Sequence, residues 1–140
     1  MSCYRILIPV GGDPRLAETQ AEYVTRLPSA AADLRVTLVH ALTGSEKDVP
    51  AHMQQPDRSE SVKEAKSVLE NAGVEAHTRG VSSPPAEGIL LLAAEGDFNE
   101  IVISGKERTP TQKAILGSVT QSVVLEAEIP VTVISAYALV

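Results

Sequence analysis

Tyr4-Arg-Ile-Leu-Ile-Pro-Val10, running straight into Gly11-Gly12-Asp13-Pro14, is the stretch whose reading decides the fold. A short aliphatic run without polar alternation reads as a strand buried on both faces. Gly11-Gly12 turns the chain, and Asp13-Pro14 has the chemistry of a helix cap followed by proline at the first helical position. Leu16, Ala17, Tyr23, Val24 and Leu27 then recur at helical spacing until Pro28 stops them. A buried strand leading directly into an amphipathic helix is the opening half of a strand–helix–strand unit.

The same alternation continues outward. Leu34 to Ala41 reads as a second strand. Residues 42–58 are polar and irregular, with Gly44, Pro50 and Pro56, and form the longest loop, of a length usually tied to function or disorder. Ser61-Val-Lys-Glu64 resembles a capping box ahead of the helical stripe Val62, Ala65, Val68, Leu69 and Ala72, closed by Gly73. Glu75 to Val81 is a weaker strand, and Pro84-Pro85 opens a helix through Ile89, Leu92 and Ala93 that Gly96 closes. Glu100 to Ser104 is a buried strand ending at Gly105. A helix starting at Gly117-Ser118 carries Val119, Val123, Val124 and Ala127, and Pro130 separates it from a last strand, Val131 to Ser135.

Four strand–helix repeats and a closing strand predict an α/β fold. It has a five-stranded parallel sheet flanked by helices on both faces, most simply in the flavodoxin-like order 3-2-1-4-5. In that order the chain reverses between strands 1 and 4, and ligands of such sheets sit at the carboxyl ends of the strands at this switch point. Two loops are thereby selected, Gly11–Asp13 and Gly105–Ser118. One domain, residues 1–140, accounts for the whole length.

Composition limits what those loops can bind. Hydrophobic residues make up 44% of the chain but aromatic residues only 3%, with no Trp. This supports an aliphatic core and leaves no aromatic platform for stacking bases. Twelve basic against eighteen acidic residues, a net charge of −6, argue against nucleic acid or an anionic membrane as partner. No apolar run reaches the length of a membrane span, and no signal-peptide pattern opens the chain, so a cytoplasmic protein is expected. Cys3 is the single cysteine and excludes an internal disulfide.

Within the first loop, Pro9-Val10-Gly11 permits close backbone approach, and Asp13 reads as the cap of the helix that follows. In the second, Gly117-Ser118 lies where free N–H groups and the helix dipole favour phosphate. Ser118-Val-Thr-Gln121 can also be read as a capping box. Lys106, Arg108 and Lys113 concentrate positive charge beside it. His40, His52 and His77 are scattered, and no clustered ligands suggest a metal. No Ser–His–acid set or Cys–base pair is in view, and no Gly-x4-Gly-Lys-[Ser/Thr] phosphate loop occurs. Gly11-Gly12 and Val81-Ser-Ser83 lack the acidic residues of a phosphorylation receiver.

Taken in order, ILIPV, LVHA, the strand ending at Ser104-Gly105, GSVTQSVV and the closing IPVTV resemble the universal stress protein family over essentially the whole chain. The resemblance implies a homodimer and, in many members, ATP held with magnesium in the selected crevice. By that resemblance Val10 and Ala41 border the base through their backbones. Ser104 and Gly105 border the sugar and phosphates, and Gly117, Ser118, Val119 and Thr120 hold phosphate oxygens. The nucleotide-binding pattern Gly-x2-Gly-x9-Gly-[Ser/Thr] is met by Gly105 and by Gly117-Ser118. Arg108 stands in place of the second glycine, with one residue fewer before Gly117. The acidic residue that holds the ribose is replaced by Gly11, a loss of about 1.5–3 kcal/mol, or roughly tenfold to hundredfold in affinity.

Two functions follow. In the first, a cytoplasmic stress-response protein binds ATP or a related adenine nucleotide between strands 1 and 4 and alters its contacts with a protein partner, Arg108 compensating at the phosphate. In the second, Arg108 fills the crevice and the same fold serves as a nucleotide-free interaction module. Slow ATP hydrolysis ranks behind both, for want of a general base. The edge strand Val131–Ser135 and the apolar tail Ala136–Val140 predict the homodimer contact.

Overall fold

A computed structural model describes residues 3–28, 30–40, 60–81, 84–105 and 117–134. Five parallel strands make one sheet: β1 (Tyr4–Val10), β2 (Leu34–His40), β3 (Glu75–Arg79), β4 (Glu100–Ser104) and β5 (Val131–Ile134), in the order β3-β2-β1-β4-β5. The helices are α1 (Pro14–Thr25), the four-residue α2 (Ala30–Asp33), α3 (Glu60–Asn71), α4 (Pro85–Glu95) and α5 (Ser118–Glu126). The alternation and the strand order are those the hydrophobic pattern predicts; the short α2 has no counterpart in that reading.

Because side chains alternate across a strand, β1 serves two cores at once. Ile6, Ile8 and Val10 join Val36 and Leu38 of β2 beneath Ala17, Ala21 and Val24 of α1 and Val62, Ala65 and Leu69 of α3. Leu7 faces the other way, with Val39, Ile101 and Ile103, onto Ile89 and Leu92 of α4 and Val123 of α5. Burial of β1 from Ile6 to Val10 on both faces is the reason its sequence shows no polar alternation.

Local signals account for most element ends. Asp13 caps α1, its carboxylate accepting the Arg15 N–H at 2.9 Å. Gly73, with φ of 79°, lies in the left-handed region that favours glycine and ends α3. Two caps differ from the sequence expectation. Ser61 lies inside the first turn of α3, buried, with no partner for its hydroxyl among the described residues, so it is not the cap of a capping box. Ser118 is the first residue of α5, and the N-cap is Gly117, which offers no side chain. β3 ends at Arg79 rather than Val81. β2 and β5 are described to His40 and Ile134, and Ala41 and Ser135, the last expected residues of each, lie outside the described residues.

The amino ends of the strands are joined by side chains as well as by the ladder. Glu100 accepts from the Tyr4 hydroxyl at 2.8 Å and from the Thr132 hydroxyl at 2.7 Å, tying β1, β4 and β5. Arg5 stacks on Phe98, 4.9 Å from its ring centre.

Candidate functional site: the crevice between β1 and β4

β1 continues through α1 to β2 on one side, and β4 continues through α5 to β5 on the other. Their connections diverge, and a crevice opens at the carboxyl ends of the two strands. Its β1 wall is Pro9 and Val10, both buried, followed by half-buried Gly11. Its β4 wall is half-buried Ser104 and buried Gly105, whose N–H donates to the Ile134 carbonyl at 2.9 Å. The β1–β4 ladder pairs Ile6 with Glu100 and Leu7 with Ile101, and no further pair follows.

Two helices begin at this crevice, and they differ. At α1, Asp13 supplies its own anion: the carboxylate accepts from Arg15 N–H and lies 3.4 Å from the Arg15 guanidinium. At α5 the cap is Gly117, with no side-chain hydrogen bond. The Gln121 N–H donates to the Gly117 carbonyl at 2.9 Å. The N–H groups of Ser118, Val119 and Thr120 precede that bond and so lie outside the helical ladder. A Cβ built on Gly117 or on Gly11 would meet nothing within 4 Å among the described residues. An anion therefore has its natural seat at α5, where backbone donors and dipole converge and, among the described residues, neither a capping side chain nor an acidic residue of the first turn offsets them.

Thr120 fixes that helix end against the sheet. Its side chain is buried and its hydroxyl donates to the Ser104 carbonyl at 2.9 Å. That hydroxyl proton is thereby engaged, which leaves the backbone N–H as the Thr120 donor outside the helical ladder. Ser118 is exposed and Val119 half-buried in the same turn. Pro9, Val10, Gly11, Ser104, Gly105, Gly117, Ser118, Val119 and Thr120 are thus brought to one place. Ala41, Arg108 and the rest of the basic stretch from Lys106 to Lys113 lie outside the described residues.

Asp13, two positions after Gly11, caps α1. No group of three or more His, Cys, Asp or Glu side chains suited to a metal occurs among the described residues. His40 ends β2 opposite Val10 in the ladder, and His77 pairs with Glu75 on β3, at 2.8 Å. No helix among the described residues is long and apolar enough to cross a membrane. A groove of about 470 Å³ between α4 and α5, lined by Leu90, Phe98, Glu126 and Ile129 among others, lies at the opposite, amino ends of β4 and β5.

Sequence reasoning missed one residue of this region. Gln20 is fully buried, and its Nε2 donates to the carbonyls of Pro9 at 2.8 Å and Val102 at 3.2 Å. The available signal was its position: 17, 20, 21 and 24 trace one helical stripe, and Gln20 is the polar residue within it.

A parallel α/β sheet with an uncapped helix amino end at its switch point defines a class of small-ligand-binding domains with a seat for an anion. The chain belongs to the universal stress protein family, whose sequence profile matches residues 4–135. It is 29% identical over 84 residues to a universal stress protein of Methanocaldococcus jannaschii, covering 60% of this chain and 49% of that one. The match therefore spans about half the length of that relative. Among solved structures, the universal stress protein of Archaeoglobus fulgidus superposes with a TM-score of 0.75 at 26% identity, covering 92% of this chain and 96% of that one. A second structure from that organism, in complex with dAMP, superposes with a TM-score of 0.70 at 23% identity, covering 95% and 98%. The adenine nucleotide alpha hydrolase-like fold of these proteins is the fold found here.

Proposed function

We propose that this universal stress protein binds an adenine nucleotide, ATP with magnesium in its fullest form, in the crevice between β1 and β4. It acts by binding rather than catalysis, as a cytoplasmic homodimer whose contacts with a stress-response partner depend on the bound nucleotide. The observation that carries the reading is the uncapped amino end of α5. Three backbone N–H groups stand ahead of the first helical hydrogen bond there, and a Cβ on Gly117 would meet nothing within 4 Å among the described residues. The dAMP complex of the Archaeoglobus fulgidus relative supports adenine as the base. With Gly11 in place of a carboxylate, the phosphate end supplies most of the affinity, and the adenine rests on backbone and aliphatic side chains.

Titration of a fluorescent ATP analogue at fixed salt tests this. The wild type is expected to bind and Gly117→Glu, which puts a carboxylate at the phosphate seat, to lose binding. A wild type without affinity for the analogue would overturn the nucleotide reading.

Gly11 also favours a second reading, in which the crevice holds no nucleotide and Arg108 occupies it in an interaction module. Mass spectrometry of protein denatured directly after purification separates the two. Released adenine nucleotide supports the first reading; its absence, together with a silent titration, supports the second.

A further inference from the structure

We propose that Gln20 is the positioning residue of the crevice. From inside α1, its carboxamide takes the place of hydrogen bonds that Pro9 prevents, and so holds the carboxyl ends of β1 and β4 apart. That the gap admits a nucleotide rests on the reading above; the spacing itself rests on the hydrogen bonds.

The register makes the argument. Leu7 lies opposite Ile101 in a parallel ladder, so residue 9 would come next, opposite Ile103. In that position residue 9 would donate its N–H to the Val102 carbonyl and accept from the Ser104 N–H. Pro9 has no N–H, and the ladder stops. Val102 is buried between the layers, so its carbonyl needs a donor. Gln20 provides it. One N–H of Nε2 reaches Val102 at 3.2 Å and the other reaches Pro9 at 2.8 Å, one carbonyl from each strand.

A carboxamide bridging two carbonyls separates them further than a direct N–H···O=C bond would. The bridge stands at the floor of the crevice, one residue before Val10 on β1 and two before Ser104 on β4. The next β4 carbonyl on that edge, that of Ser104, is likewise taken by a helix side chain, Thr120. Past Leu7 and Ile101, the Pro9, Val102 and Ser104 carbonyls of β1 and β4 thus accept from side chains of α1 and α5. The carboxamide also carries a cost: Gln20 Oε1 is buried with no hydrogen-bond partner among the described residues. Leucine would fill the same apolar stripe without leaving that oxygen unsatisfied, but it would leave both carbonyls bare.

Two variants test the proposal. Gln20→Leu removes the bridge, and the double variant Pro9→Ala/Gln20→Leu restores an N–H at residue 9 so that the ladder can close. The readouts are urea stability, amide hydrogen exchange at residue 9, and affinity for the fluorescent ATP analogue. Gln20→Leu is expected to lose stability and affinity together. The double variant is expected to regain stability and protect the residue 9 amide, while its affinity stays about tenfold or more below wild type. Recovery of affinity along with stability would show Gln20 to be merely structural and overturn the proposal. So would a residue 9 amide that exchanges as fast as an exposed one, since the strands would then not close when the bridge is gone. Should the wild type bind no nucleotide, the ligand reading falls alone, and exchange at residue 9 still decides for or against Gln20 as the spacer.

Discussion

The Thr120 hydroxyl donates to the Ser104 carbonyl across 2.9 Å, so the first turn of α5 is pinned to the last residue of β4. This one bond sets where the backbone donors of α5 stand relative to the sheet. Thr120→Val keeps the shape and removes the donor, leaving a carbonyl unpartnered at a part-buried site. It should cost about 1–2 kcal/mol in urea unfolding and weaken nucleotide binding in parallel, whereas Thr120→Ser should retain most of both.

Gly117 separates folding from binding. Its φ of −66° is open to any residue, and a Cβ there meets nothing within 4 Å. Gly117→Asp adds a favoured cap, so the melting temperature should stay level or rise by about 1 °C. The same carboxylate occupies the anion seat, and affinity for ATP should fall by about tenfold or more. Scanning calorimetry and the titration, run on one preparation, check both signs.

Gly96 is the opposite case. A Cβ there would come within 2.5 Å of Phe98 Cε2 and 2.9 Å of the Leu92 carbonyl oxygen. Gly96→Ala should therefore destabilise by about 1–3 kcal/mol through overpacking at the end of α4, measured by urea unfolding. Binding at the distant crevice should be unaffected at temperatures where the variant is folded.

Tyr4 makes stability depend on alkaline pH. Its hydrogen bond to Glu100, helped by burial and by the Glu100 charge, pushes the phenol up from 10.0 to about 12. The folded state thus favours the protonated phenol. That contribution is complete below pH 10 and is lost as pH rises from about 10 through 12. The urea midpoint of the wild type should fall over that interval, and Tyr4→Phe should show a shallower fall. Absorbance at 295 nm should show one tyrosine of the three titrating late.

β5 ends the sheet, and Val133 is 37% exposed on it. An edge strand that carries an exposed valine suits pairing with a second copy. Sedimentation at micromolar concentration should give a dimer for the wild type and a monomer for Val133→Lys. A monomeric wild type would refute edge pairing.

The two ends of the crevice were not equally legible. Asp13-Pro14 and Gly117-Ser118 announce helix starts because capping is local chemistry, confined to three or four residues. Yet the same local rules misassign the caps at Ser61 and Ser118. A Ser-x-x-Glu or Ser-x-x-Gln spacing also fits a helix that already includes the serine, as α3, from Glu60, and α5, from Ser118, do. Pro9 reads as part of an ordinary buried strand, and nothing beside it in the chain tells how a proline is accommodated in the middle of a sheet.

Periodicity and punctuation alone determined every element but the short α2, the parallel sheet and its switch point, because burial on one face or two leaves its period in the sequence. Only the tertiary structure decided what Gln20 and Thr120 do. Their partners lie 82 and 16 positions away, and which carbonyls lack a ladder partner depends on strand order and register. A local pattern records that a side chain is buried; it does not record which backbone group, brought in from another strand, that side chain will satisfy.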